Sequence, residues 1–153
     1  ILFAYRLNYN AKIAGDMPFY MLPFYQNTYE IRDGFGGSKT IRGILRDRVV
    51  GDAVAFGNAE LRCKVIETKL GKIDLYIALS AFVDAGTVVD AYDFVQLSGP
   101  QLTPFDDEGI HVGYGGGIRI GVNTNSIVAV DYGRALNPQD GISGLYINLG
   151  WLF

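Results

Sequence analysis

Ile1-Leu2-Phe3-Ala4-Tyr5-Arg6-Leu7-Asn8-Tyr9-Asn10-Ala11-Lys12-Ile13 has two unlike faces. The odd positions carry Ile1, Phe3, Tyr5, Leu7, Tyr9, Ala11 and Ile13, and the even ones Leu2, Ala4, Arg6, Asn8, Asn10 and Lys12. Successive side chains of a strand point to opposite faces, so a repeat of two belongs to a β-strand, whereas a helix repeats near 3.6. The run exceeds the roughly 5–6 residues of an ordinary globular strand, which favours a long barrel strand.

The alternation returns over 53–65, 73–86, 110–122, 128–132 and 145–153, so the chain reads as all-β, with six antiparallel strands. The connections alternate in length. A long one runs from about 15 to 52, a short one over 67–72, a second long one over 88–109, a tight turn at Asn123-Thr124-Asn125, and a medium loop holds Pro138 and Gly141. Transmembrane β-barrels thread in this way, with long loops on the outside and tight turns on the periplasmic side. The odd row Leu145, Ile147, Leu149, Trp151 and Phe153 is expected to face lipid, its two aromatics at the membrane interface. Six strands are fewer than the eight of the smallest membrane barrels, and open edges in lipid leave costly unpaired backbone groups. The sequence is therefore expected to be part of a larger barrel, and Ile1 is not expected to be a native N-terminus.

Composition narrows the function. A net charge of −3 lacks the basic footprint of a nucleic-acid binder. One cysteine, Cys63, and one histidine, His111, leave no zinc-type ligand cluster and nothing around His111 that looks like a hydrolase triad. No enzyme activity, cofactor or metal is expected, and no nucleic-acid partner. There is no apolar run of about 18 residues for a membrane helix, which says nothing against barrel strands.

Four motifs carry a resemblance. They are Gly36-Gly37-Ser38-Lys39-Thr40-Ile41-Arg42-Gly43-Ile44, Asn58-Ala59-Glu60-Leu61-Arg62, Phe82-Val83-Asp84-Ala85-Gly86, and the ending Tyr146-Ile147-Asn148-Leu149-Gly150-Trp151-Leu152-Phe153. In this order and spacing they resemble the outer membrane protein 85 superfamily, also called bacterial surface antigen, which includes BamA-type assembly factors and two-partner secretion translocators. Ile41-Arg42-Gly43 matches the family's loop tip, and Ile44 stands where an aromatic is usual. The resemblance implies the last six strands of a sixteen-stranded outer-membrane β-barrel. It also implies a loop folded into the lumen, with its tip at Gly37, Ile41 and Gly43. The family's other strands and its periplasmic POTRA repeats are not in this sequence.

An arginine in a loop is ordinarily solvated. Here Gly36, Gly37 and Gly43 permit a tight inward tip, and strand parity puts Asp84 and Glu60 on the lumen face. The resemblance then implies a loop–barrel lock of Arg42 on Asp84, with Glu60 as second acceptor because Arg62 and Lys64 stand beside it. Gly113, Gly115 and Gly117 form an inward glycine row that either lets the strand bend or leaves room for the inserted loop. His111, Arg119 and Asp131 read as polar groups of a water-filled lumen. Trp151 and Phe153 resemble the family's C-terminal assembly signal.

The leading expectation is a bacterial outer-membrane barrel that inserts other outer-membrane proteins. Its partners would be lipid, nascent or transported polypeptides and accessory assembly subunits. The alternatives are a two-partner secretion translocator or the barrel anchor of a patatin-like phospholipase.

Overall fold

The computed structural model describes residues 1–16, 18–22, 24–26, 31–92, 109–123 and 126–153. Its strands are β1 (Leu2–Ala11), β2 (Phe24–Gln26), β3 (Ile31–Asp33), β4 (Ala53–Leu70), β5 (Ile73–Asp90), β6 (Ile110–Val122), β7 (Ser126–Ala135) and β8 (Ser143–Leu149). The only helical piece among the described residues is the short turn Phe19–Met21. Most of the expected 88–109 connection, and Thr124 and Asn125 of the expected tight turn, lie outside the described residues.

Six strands form one antiparallel sheet in the order β1-β4-β5-β6-β7-β8, and β2 and β3 make a separate hairpin within the 12–52 connection. The sheet is a meander that does not close on itself, with β1 and β8 at its edges. This is the build of part of a barrel wall.

Alternation sorts the side chains as the period requires. Tyr5, Leu7, Leu61, Leu79, Val83, Ile118, Tyr132 and Ile147 are exposed on one face. Asn58, Glu60, Phe82, Asp84, His111, Arg119 and Asp131 are buried on the other.

Several strand bounds differ from the sequence reading. β4 and β5 run 18 residues each, past the expected ends at 65 and 86. A register slip between Lys64 and Ile66 leaves both Val65 and Ile66 exposed, which breaks the alternation although pairing continues to Leu70↔Ile73. The final strand ends at Leu149, not Phe153. Gly150 takes φ 86°, a left-handed conformation that ends the strand and turns the chain. Trp151 and Phe153 consequently leave the outward row and lie half-buried against Arg62, whose Cζ is 4.4 and 5.0 Å from their ring centroids.

The core sits between the sheet and the returning part of the 12–52 connection. Phe35, Ile41, Ile44 and Val49 of the connection pack with Val54, Phe56 and Ala135 of the wall, and Val88 flanks them. Burying such side chains contributes about 1.5–3 kcal/mol each, so apolar contact alone gives the connection a substantial seat.

Candidate functional site

The tip of the connection is built by its own short-range bonds. Leu45 to Gly36 is a narrow loop in which Gly37 N donates to Ile44 O at 3.2 Å and Asp47 N to Phe35 O at 2.9 Å. The Thr40 hydroxyl lies 2.8 Å from Gly34 O and 2.9 Å from Gly36 O, which hold it as donor. Gly43, at φ 97°, approaches β7 so closely that an added Cβ would lie 2.5 Å from the Arg134 carbonyl carbon. Only glycine satisfies both the backbone angle and the approach.

This shape presents Arg42 to the wall, where its side chain is fully buried. Its Nε donates to Asp84 Oδ2 at 2.8 Å and its Nη2 to Asp84 Oδ1 at 3.0 Å, the two-pronged geometry in which a guanidinium matches a carboxylate. The Arg42 backbone N–H adds a third bond to Asp84 Oδ2 at 3.0 Å. Nη1 donates to Glu60 Oε1 at 2.6 Å and to Asp131 Oδ2 at 3.2 Å. The Phe82 ring lies under the guanidinium, 3.4 Å from centroid to Cζ.

Burial works against the charge of Arg42, but the hydrogen bonds and charges of Asp84 and then Glu60 outweigh it and raise the guanidinium pKa above its ordinary value. The surrounding charges balance. Arg62 Nε donates to Glu60 Oε2 at 2.8 Å, and Arg119 holds Asp131 through Nη1 at 2.5 Å and Nη2 at 3.1 Å. Three guanidinium groups thus share three carboxylates with almost no exposure to water.

Backbone and amide contacts complete the seat. Asn58 Nδ2 donates to Thr40 O at 2.6 Å, and Arg6 Nη2 to Lys39 O at 2.6 Å. The Gly43 N–H donates to the Tyr146 hydroxyl of β8 at 2.8 Å. Beyond the tip, Leu45 N donates to Asp140 O at 2.7 Å, and Asp140 Oδ1 accepts from Arg48 at 2.7 Å with His111 Nδ1 at 3.0 Å.

The structure brings Arg42, Asp84 and Glu60 together, with Ile41 and Gly43 at the same contact. Gly37 is half-buried at the base of the tip, bonded to Ile44 O, and an added Cβ there would meet only the Arg46 side chain, at 4.0 Å. Glu60 serves both Arg42 and Arg62, while Lys64 pairs with Glu67 instead, at 3.4 Å. The inward glycines differ in what they accommodate. A Cβ on Gly113 would lie 1.9 Å from Arg42 O, on Gly115 2.0 Å from Tyr132 O and 2.7 Å from Phe82, and on Gly117 1.9 Å from Asp131 Oδ1. Only the first of these faces the loop; Gly133, whose Cβ would lie 3.0 Å from Arg42, joins it.

Arg119 and Asp131 are not solvated lumen charges: they are buried, paired with each other, and Asp131 also takes Arg42. The expectation of water around them fails because the loop covers them. Sequence reasoning also missed Tyr146, Asn58 and Asp140 as partners of the loop. Parity put Tyr146 and Asn58 on the correct face, but nothing in the pattern marked Asp140.

Among the described residues no His, Cys, Asp and Glu cluster is arranged to hold a metal ion. Each carboxylate at the tip is engaged by arginine, so the arrangement's chemistry is binding: it fixes a loop to a wall at several points at once.

Comparison with curated proteins and with solved structures gives no match. A family model described as the Omp85 superfamily domain matches residues 1–153. The chain belongs to the Omp85 superfamily, outer-membrane β-barrel proteins that insert or translocate polypeptides.

Proposed function

We propose that residues 1–153 form the C-terminal portion of a sixteen-stranded barrel in the bacterial outer membrane, and that the barrel inserts other outer-membrane proteins as BamA-type members do. The seated loop is the lock that holds the barrel in its working conformation. Client polypeptides, accessory subunits and outer-membrane lipid are its partners, and it needs no cofactor.

The observation that carries this reading is the span of the tip. Arg42 reaches Asp84 on β5, Glu60 on β4 and Asp131 on β7, while the next residue, Gly43, bonds Tyr146 on β8. One rigid tip therefore bears on the wall and on the sheet's edge strand together. In the closed barrel this strand borders the seam, and a seam that opens frees backbone groups that can pair with an incoming strand, which is the step an insertion catalyst must favour. A loop that controls the edge suits insertion, whereas a translocator needs the loop to leave the lumen.

The test reconstitutes the full-length protein in lipid vesicles and adds a urea-denatured eight-stranded barrel as client. Insertion is read as the heat-modifiable, protease-protected band. The expected result is faster client folding than in empty vesicles, with the gain lost in Arg42→Ala. No acceleration, with unfolded polypeptide accumulating inside the vesicles, overturns insertion in favour of translocation.

A further inference from the structure

Arg6 on β1, Arg62 on β4 and Arg119 on β6 share an arrangement that seating the loop does not require. Each guanidinium has a polar contact in the loop network and an aromatic ring of the 150–153 segment near it. Arg6 donates to Lys39 O of the loop at 2.6 Å and lies 5.4 Å from the Phe153 ring centroid. Arg62 donates to Glu60 at 2.8 Å, lies 4.4 Å from the Trp151 ring and 5.0 Å from the Phe153 ring, and reaches Phe153 O through Nη2 at 3.2 Å. Arg119 holds Asp131 at 2.5 Å and lies 5.5 Å from the Trp151 ring. Glu60 and Asp131 are the carboxylates that also accept from Arg42 Nη1. The left-handed turn at Gly150 brings both rings to this face.

We propose that the 150–153 segment is a latch coupled to the loop through these three arginines. The idea rests on the loop-lock reading given above. With Arg42 seated, Glu60 and Asp131 each share their charge between two guanidinium groups, and Arg62 and Arg119 stand over the Trp151 ring, Arg62 over Phe153 as well. Cation–π attraction depends on the cation standing over the ring's face, where a flat guanidinium can also stack.

When Arg42 leaves, Asp131 keeps Arg119 on both oxygens but Glu60 Oε1 is vacated, and Arg62, already on Oε2, and Arg119, whose Nη2 stands 3.6 Å from Oε1, turn toward it. Arg6 loses Lys39 O in the same step. The cations move off the rings, and the segment following β8 is released. A coupling free energy acts equally in both directions, so removing the rings must also loosen the loop. The segment continues directly from the edge strand, which makes it a means of transmitting the loop's position to that edge.

The experiment uses the full-length protein in vesicles with Cys63→Ser. A single reporter cysteine is placed at Thr40→Cys in the loop or Leu152→Cys in the segment. Labelling by a water-soluble maleimide is followed in the folded, heat-modifiable fraction. Arg42→Ala is expected to speed labelling at both reporters, and Trp151→Leu with Phe153→Leu to speed it at Thr40→Cys, by about fivefold or more.

If Arg42→Ala exposes Thr40→Cys while Leu152→Cys keeps its original rate, and the double ring variant leaves Thr40→Cys shielded, the latch is wrong and the lock stands. If Arg42→Ala leaves Thr40→Cys shielded, the lock fails and the latch with it. Should Arg42→Ala not assemble, Arg62→Lys decides, because it keeps a charge for Glu60 but removes the flat face. It must speed labelling at both reporters, and no change at either overturns the coupling.

Discussion

Cys63, Leu79, Ile118, Val130 and Ile147 form one cross-strand row of the sheet, and Arg62, Ser80, Gly117, Asp131 and Tyr146 form the row one residue away. The first row is free of charge and open, with Leu79 and Ile118 each nearly half exposed. The second carries an arginine and an aspartate, yet Asp131 is 2% exposed. A soluble domain puts apolar side chains inside and charge outside. Here the apolar row is the open one, as the proposed lipid-facing wall requires, and the charged row is dry, because the 12–52 connection covers it and supplies Arg42 to the carboxylates. Alternation of polarity therefore reports which face is which, but not which face is wet.

The largest effect is expected where that dry charge is broken. Asp84→Ala removes the three Arg42 bonds that end on Asp84 and leaves a fully buried cation with Glu60 and Asp131. Breaking a buried pair costs about 3–5 kcal/mol, and the two remaining acceptors place this case at the low end. Urea unfolding in vesicles measures the loss. Adding Arg42→Ala to Asp84→Ala should cost less than the two single losses summed, since the second change removes the stranded charge. Full additivity would show that the residues do not act as partners.

The opposite face is tested by Leu79→Lys in the middle of β5. A lysine on the lipid face near the midplane costs roughly 2–4 kcal/mol, and close to nothing at the rim. Leu70→Lys, at the far end of β4, is the rim control. Equal stability of the two variants in vesicles would mean that the outward row does not lie in lipid.

How far the sequence carries is visible at particular residues. The long strands are legible because ten or more residues of strict alternation have no other explanation, and parity alone puts Glu60, Asp84 and Asp131 on one face. Legibility stops where backbone irregularity intervenes. The slip after Lys64 hides the last turn of β4, and one left-handed glycine at Gly150 sends Trp151 and Phe153 to the face opposite the one their parity assigns. That Asp131 accepts from Arg42, 89 positions away, depends on how the sheet curves around the tip, which no local pattern encodes. The Arg48–Asp140–His111 contact joins two loops and a strand end and has no period to announce it.

The glycine row sharpens the comparison within the dry face itself. Gly113→Ala would push a Cβ against the backbone oxygen of Arg42 in the loop, whereas Gly117→Ala would meet Asp131 Oδ1 and the Val130 backbone oxygen, both of the wall. A backbone atom of a seated loop cannot yield without moving the loop, so Gly113→Ala is expected to cost about 1–3 kcal/mol and to expose a Thr40→Cys reporter to maleimide. Gly117→Ala should destabilise the wall yet leave the reporter more shielded than Gly113→Ala does. The reverse order of reporter exposure would mean that the row serves strand curvature and not loop approach.

The smallest change falls at the edge strand. The Tyr146 hydroxyl accepts from Gly43 N at 2.8 Å and ties the tip to β8. Tyr146→Phe keeps the ring and removes that acceptor, stranding one N–H in a partly buried place. A net hydrogen bond is worth about 0.5–1.5 kcal/mol, and an unsatisfied donor about 1–3 kcal/mol when wholly buried. Partial exposure lets water reach the group, so a loss near 1 kcal/mol is expected. The informative readout is therefore not stability but client insertion. If the tip steers β8 through this bond, Tyr146→Phe should slow insertion more than its small stability loss allows, while Asn58→Ala, which removes contacts to Thr40 O and to Arg6 of β1 but none to β8, should not. Equal slowing per kcal/mol by both would show that the tip acts on the barrel as a whole and that the edge has no privileged link to it.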